Sequence, residues 1–149
     1  MEHLEGNFKG VRNTNIYYQA WLPTGEVKAV LLVVHGLGEH SGRYLNVVNH
    51  FVPLGYAVYG LDHIGHGKSD GGREVVERFE DYTQTLNTYY HMITGWQTEV
   101  PIFLLGHSMG GLITSYYLLD HQADFKGAII SAPCTKVGES ISPVTITMG

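Results

Sequence analysis

Apolar residues fall into short runs separated by breaks rich in glycine, proline and asparagine. Residues 8–11 and 16–22 carry aromatic and β-branched side chains around Asn13-Thr14-Asn15, a pattern that predicts a hairpin of two antiparallel strands. Pro23-Thr24-Gly25 ends the second strand. Residues 27–34 are then apolar without alternation, which predicts a central strand covered on both faces. Residues 56–61, 101–105 and 127–131 predict further buried strands.

Between these runs the period becomes helical. Tyr44, Val47, Val48, Phe51 and Leu54 form a core-facing stripe that Gly55 stops. Residues 79–96 predict a long helix with Phe79, Tyr82, Leu86, Tyr89, Tyr90 and Ile93 on one side, and Glu80 and Asp81 in the first turn, where the helix dipole favours them. Residues 111–121 predict another, with Leu112, Ile113, Tyr116 and Leu119 as its buried stripe. Strands alternating with helices from residue 27 onward predict an α/β fold: a mostly parallel sheet with helices on both faces. Residues 136–149 have no clear period and predict an extended or poorly ordered tail.

At 149 residues the chain is one domain by length. Its formal charge of -5 gives no electrostatic case for nucleic acid. Cys134 is the only cysteine, so no intrachain disulfide can form; a small buried apolar role and a reducing compartment fit it. Met1 to Glu5 lack a basic segment followed by an apolar one, so a secretory signal is not expected. The apolar run 29–34 is too short to span a bilayer. The expected location is cytoplasmic, with any membrane contact peripheral.

The candidate chemistry centres on Gly106-His107-Ser108-Met109-Gly110, set between an apolar run and a helical stretch. That is the context of a nucleophile elbow, a turn that lifts its central side chain out of the sheet. Gly106 and Gly110 have a steric reason to be glycine, since the turn brings strand and helix backbones together. Ser108 is the candidate nucleophile. After the strand at 27–34, His35-Gly36-Leu37-Gly38 can fold back tightly and point amide hydrogens into a cleft, a candidate oxyanion hole. Ser41 is expected to cap a helix starting near Arg43. In Asp62-His63-Ile64-Gly65-His66-Gly67, a metal site is disfavoured because no other ligand cluster stands out. Asp62 and His66 are expected to hydrogen-bond the loop and brace the oxyanion loop.

Three stretches, residues 35–44, the loop 62–69 and Gly106-His107-Ser108-Met109-Gly110-Gly111, together resemble the monoacylglycerol lipases and their lysophospholipase-like relatives of the α/β-hydrolase fold. The resemblance implies an acyl-ester hydrolase working through an acyl-enzyme. Ser108 would attack the carbonyl, and the backbone amides of Leu37 and Met109 would hold the oxyanion. The family usually has a small residue where Leu37 stands. An amide donor does not depend on its side chain, so Leu37 bears on the shape of the acyl pocket. His107 is expected to pack or hydrogen-bond within the elbow rather than act as base. No metal or organic cofactor is called for by a serine mechanism.

Such a serine needs a base and an orienting acid, and in this fold both follow it along the chain. Only Asp120, Asp124, Glu139 and His121 follow Ser108. Asp120 and His121 lie at the far end of the outgoing helix, roughly 18 Å of helical rise away. The family's chain runs to about twice this length, through a cap and the strands carrying the acid and base. Residues 1–135 are thus expected to form the N-terminal portion of the hydrolase core, with 136–149 leading towards the cap. A piece of a cleaved or split enzyme and a truncated form are both favoured over a short inactive homologue. A complementary chain supplying the rest of the fold is the expected partner. The expected function is hydrolysis of lipid esters, monoacylglycerol or lysophospholipid; the alternatives are an esterase for small esters and a catalytically silent binding fragment.

Overall fold

The computed structural model describes residues 1–132 and 145–148. Cys134 and most of the expected tail lie outside the described residues. Among the described residues, seven strands form one sheet in the order β1-β2-β4-β3-β5-β6-β7. They are β1 (Glu2–Lys9), β2 (Asn15–Leu22), β3 (Ala29–Val34), β4 (Tyr56–Leu61), β5 (Ile102–His107), β6 (Gly127–Ser131) and β7 (Thr145–Met148). The four middle strands run parallel. The pairs β1-β2, β2-β4 and β6-β7 are antiparallel, so the sheet is mixed at its flanks.

Alternation along β3 explains its unbroken apolar run. Val30, Leu32 and Val34 face one core, which α2 (Glu80–Trp96) and α3 (Met109–His121) cover with Tyr82, Leu86, Ile93, Ile113 and Tyr117. Leu31 and Val33 face the other, where α1 (Leu45–Phe51) and the turn after it supply Val48 and Val52. Both faces are buried, as a parallel sheet between helices requires.

Three local expectations are corrected. The first strand begins at Glu2 instead of residue 8, and Val11 falls in a short turn up to Asn13. Only Phe8 of β1 is buried, so this edge strand has no apolar alternation to announce it. Leu54 is exposed, and Val52 takes its place in the core. On α3, Tyr116 and Leu119 are exposed, while Gly110, Thr114 and Tyr117 join Ile113 inside. The close approach of α3 to β3 sets its rotation, and it does so through glycine. Within the expected tail, residues 145–148 form an extended strand.

Candidate active site

β5 ends at His107, and α3 starts at Met109, leaving Ser108 alone at the apex. Its backbone adopts φ 58° and ψ −122°, a region in which an L-residue is strained. The conformation is held from both sides: Ser108 N–H donates to Ser131 O at 3.0 Å, while Ser108 O accepts from Gly111 and Leu112. A Cβ on Gly106 would meet Gly110 O at 2.5 Å, and one on Gly110 would meet His35 O at 2.6 Å and collide with Val34 O. These are backbone atoms with no room to yield, so both glycines are sterically required. His107 points to β6, its Nδ1 3.3 Å from Ser131 Oγ.

The loop after β3 packs directly on this apex. A point where Gly36 would carry a Cβ lies 3.2 Å from Ser108 Cβ and 3.1 Å from His107 O. Gly36 N–H donates to Glu39 Oε1 at 2.9 Å, and Gly36 O accepts from Glu39 N–H at 3.2 Å and from His35 Nδ1 at 2.7 Å. The N–H groups of Leu37 and Met109 have no partner among the described residues. The Leu37 side chain is exposed.

Beneath that loop the bracing is denser than the sequence indicated. Asp62, 2% exposed, accepts from Ser41 N–H and Ser41 Oγ–H, both at 2.7 Å, through Oδ1. Its Oδ2 accepts from Lys68 N–H at 3.0 Å. Asp62 therefore joins the two loops, and the Ser41 hydroxyl serves this contact instead of capping a helix. His66 donates within its own loop, from Nδ1 to Ile64 O at 3.1 Å, so it is not hydrogen-bonded to the loop after β3. His63 takes that role. Its N–H donates to His35 Nε2 at 3.0 Å, and its Nε2 donates to His35 O at 2.9 Å. Burial holds the His35 imidazole down to about 3 and pushes that of His63 well below its ordinary value, so both are neutral.

The sequence left His63 unassigned because its signal is only a histidine in a glycine-rich loop. Glu39 was also missed; its spacing of three from Gly36, a turn's reach, was the available cue.

No side chain among the described residues hydrogen-bonds to the Ser108 hydroxyl. The only downstream His-acid pair among them is His121 Nδ1 with Asp124 Oδ2 at 3.6 Å, at the far end of α3.

A strained serine raised between a parallel strand and a helix, with a glycine loop from the neighbouring strand against it, defines an α/β hydrolase. The chain belongs to the Hydrolase_4 family, described as serine aminopeptidase, S33, whose model matches residues 25–149. It is 32% identical over 144 residues to a monoacylglycerol lipase of Mycolicibacterium smegmatis, covering 97% of this chain and 51% of that protein. It is 38% identical over 118 residues to the monoglyceride lipase of Rattus norvegicus, covering 79% and 39%. In structure it resembles a thermostable carboxyl esterase from Bacillus coagulans solved with glycerol, at a TM-score of 0.79 and 29% identity over 86% of this chain and 43% of the other. The chain thus spans about half the length of the curated relatives it matches.

Proposed function

We propose that this chain carries the nucleophile and oxyanion hole of a serine hydrolase for carboxylic esters of lipids, of the monoacylglycerol or lysophospholipid class. The supporting observation is the strained Ser108 apex with the Gly36 loop packed against it.

In the reaction, Ser108 Oγ bonds to the ester carbonyl carbon while its proton passes to a base. The oxyanion takes hydrogen bonds from Leu37 and Met109 N–H. As the C–O bond to the alcohol breaks, the base returns its proton to the leaving oxygen. Water then cleaves the acyl-enzyme by the same steps. The base and its orienting acid belong to the other half of the fold, on a complementary chain or a continuation of this one. Lipid esters are supported by relatives named as monoacylglycerol lipases.

A silent binding fragment is the second reading, favoured by the absence of a base near Ser108 among the described residues. Turnover of a short aryl ester, compared with Ser108→Ala and with an intact-mass spectrum of every chain present, separates the two. Turnover lost in the alanine variant supports the hydrolase. No turnover although the spectrum shows the complementary half present supports the silent fragment. A chain-length series of esters then separates lipid from small-ester hydrolysis.

A further inference from the structure

We infer that Glu39 is a positioning residue: its carboxylate anchors the Gly36 N–H while its backbone N–H holds the Gly36 carbonyl, and the two together present the Leu37 N–H to the oxyanion. This rests on the serine-hydrolase reading of the site.

Three successive amides, those of Gly36, Leu37 and Gly38, lie on a loop of high conformational freedom, and only Leu37 N–H is wanted as a donor. A peptide unit is planar, and in the trans form its C=O and the next N–H point in opposite directions. The Gly36 carbonyl and the Leu37 amide share one such unit. Fixing the carbonyl therefore fixes the donor.

Glu39 acts at both ends of Gly36. Its backbone N–H holds Gly36 O at 3.2 Å, beside the His35 Nδ1–H, and its carboxylate takes the Gly36 N–H at 2.9 Å. With the first amide captured and the carbonyl turned inward, Leu37 N–H is left without a partner among the described residues.

The carboxylate is itself secured. Tyr44 O–H donates to the same Oε1 at 3.0 Å. Burial, together with the neighbouring carboxylate, pushes the Tyr44 phenol far above its ordinary value, so it remains a donor at every working pH. A carboxylate this near the reaction centre would oppose a developing oxyanion. The two donors on Oε1 satisfy its charge locally and turn a liability into an anchor.

Replacing Glu39 by glutamine preserves an oxygen acceptor of the same reach, whereas replacing it by alanine releases the Gly36 N–H; the test is therefore Glu39→Gln against Glu39→Ala, read in two ways. In NMR of the 15N-labelled chain, Glu39→Ala should move the Gly36 amide proton upfield and speed its exchange, with Glu39→Gln staying near wild type. An unchanged Gly36 amide in Glu39→Ala overturns the inference, whether or not the chain is active. In the preparation that hydrolyses an aryl ester, Glu39→Ala should lower kcat on the order of 10- to 100-fold with KM unchanged, and Glu39→Gln should stay within about threefold. Wild-type kcat in Glu39→Ala overturns the inference and leaves the hydrolase reading standing. Absence of wild-type turnover with the complementary half present counts against that reading alone, and the Gly36 amide then decides the inference.

Discussion

His35 and His63 hold each other by two hydrogen bonds, His63 N–H to His35 Nε2 and His63 Nε2–H to His35 O, with both rings shut off from water. The pair ties the loop beside Ser108 to the loop after β4. A proton on His35 Nε2 would face the His63 N–H, and a proton on His63 Nδ1 would be buried without an acceptor, so the arrangement favours two neutral imidazoles.

That requirement makes stability acid-sensitive well above the carboxylate range. The imidazole of His35 falls from 6.5 to about 3 on folding, and His63 shifts the same way. Between those values the unfolded chain binds more protons, so stability is full above about pH 6.5 and falls as the pH drops. The slope is about 1.4 kcal/mol per pH unit for each such group. Urea midpoints should therefore fall clearly from about pH 7.5 to about pH 5. A flat profile over that range contradicts the buried neutral pair.

Strain at Ser108 predicts a split between two variants of the proposed nucleophile. Glycine adopts φ 58° freely, whereas alanine keeps the strain. Ser108→Gly should be more stable than Ser108→Ala by about 1 kcal/mol, the relief exceeding glycine's greater entropy in the unfolded chain. Thermal melts of the two variants give the comparison, and an equal or lower melting temperature for the glycine variant counts against a strained elbow.

Glycine replacements should divide by surroundings. Gly110→Ala would drive a methyl into the backbone oxygens of Val34 and His35 and should cost about 3 kcal/mol or prevent folding. Gly95 lies in α2 with nothing within 4 Å of a Cβ, and Gly95→Ala should stabilise by about 0.5 kcal/mol. Chemical denaturation of Gly110→Ala tests the packing of α3 on β3, with Gly95→Ala as the unhindered comparison.

Arg12, itself at φ 49°, spans from the turn after β1 to Asp81 in the first turn of α2, with Nη1 to Oδ1 at 3.1 Å. The guanidinium beside it lowers the buried Asp81 carboxyl, so the pair's contribution is full above about pH 3.8 and is lost as the pH falls further. Arg12→Ala should lower the urea midpoint at neutral pH, because it leaves a buried carboxylate short of donors. The difference from wild type should shrink below pH 3.8; a constant difference would exclude the ion pair as its source.

Features set by backbone sterics were the most legible in the sequence. The glycines at 106 and 110 mark the elbow because no other residue fits there, and the unbroken run of β3 marks a strand buried on both faces. The stripe of α2 held because a long helix against one sheet face has a single side to bury. α3 did not follow its apolar period: contact at Gly110 and Thr114 fixes its rotation and leaves Tyr116 outside, against Phe79 at 4.9 Å between ring centres. β1 was half hidden because an exposed edge strand needs no apolar pattern. The bracing by Ser41, His63 and Glu39 was hidden for another reason. Polar side chains in glycine-rich loops have many local partners open to them, and only the fold selects among them.

The proposed reaction depends on Ser108 as the nucleophile. The most direct measurement is rapid quenching of a preparation turning over an aryl ester, followed by peptide mass mapping. An acyl mass on the peptide containing Ser108, absent in Ser108→Ala together with turnover, is the result predicted here. An acyl group on another residue, or turnover that persists in Ser108→Ala, would contradict it.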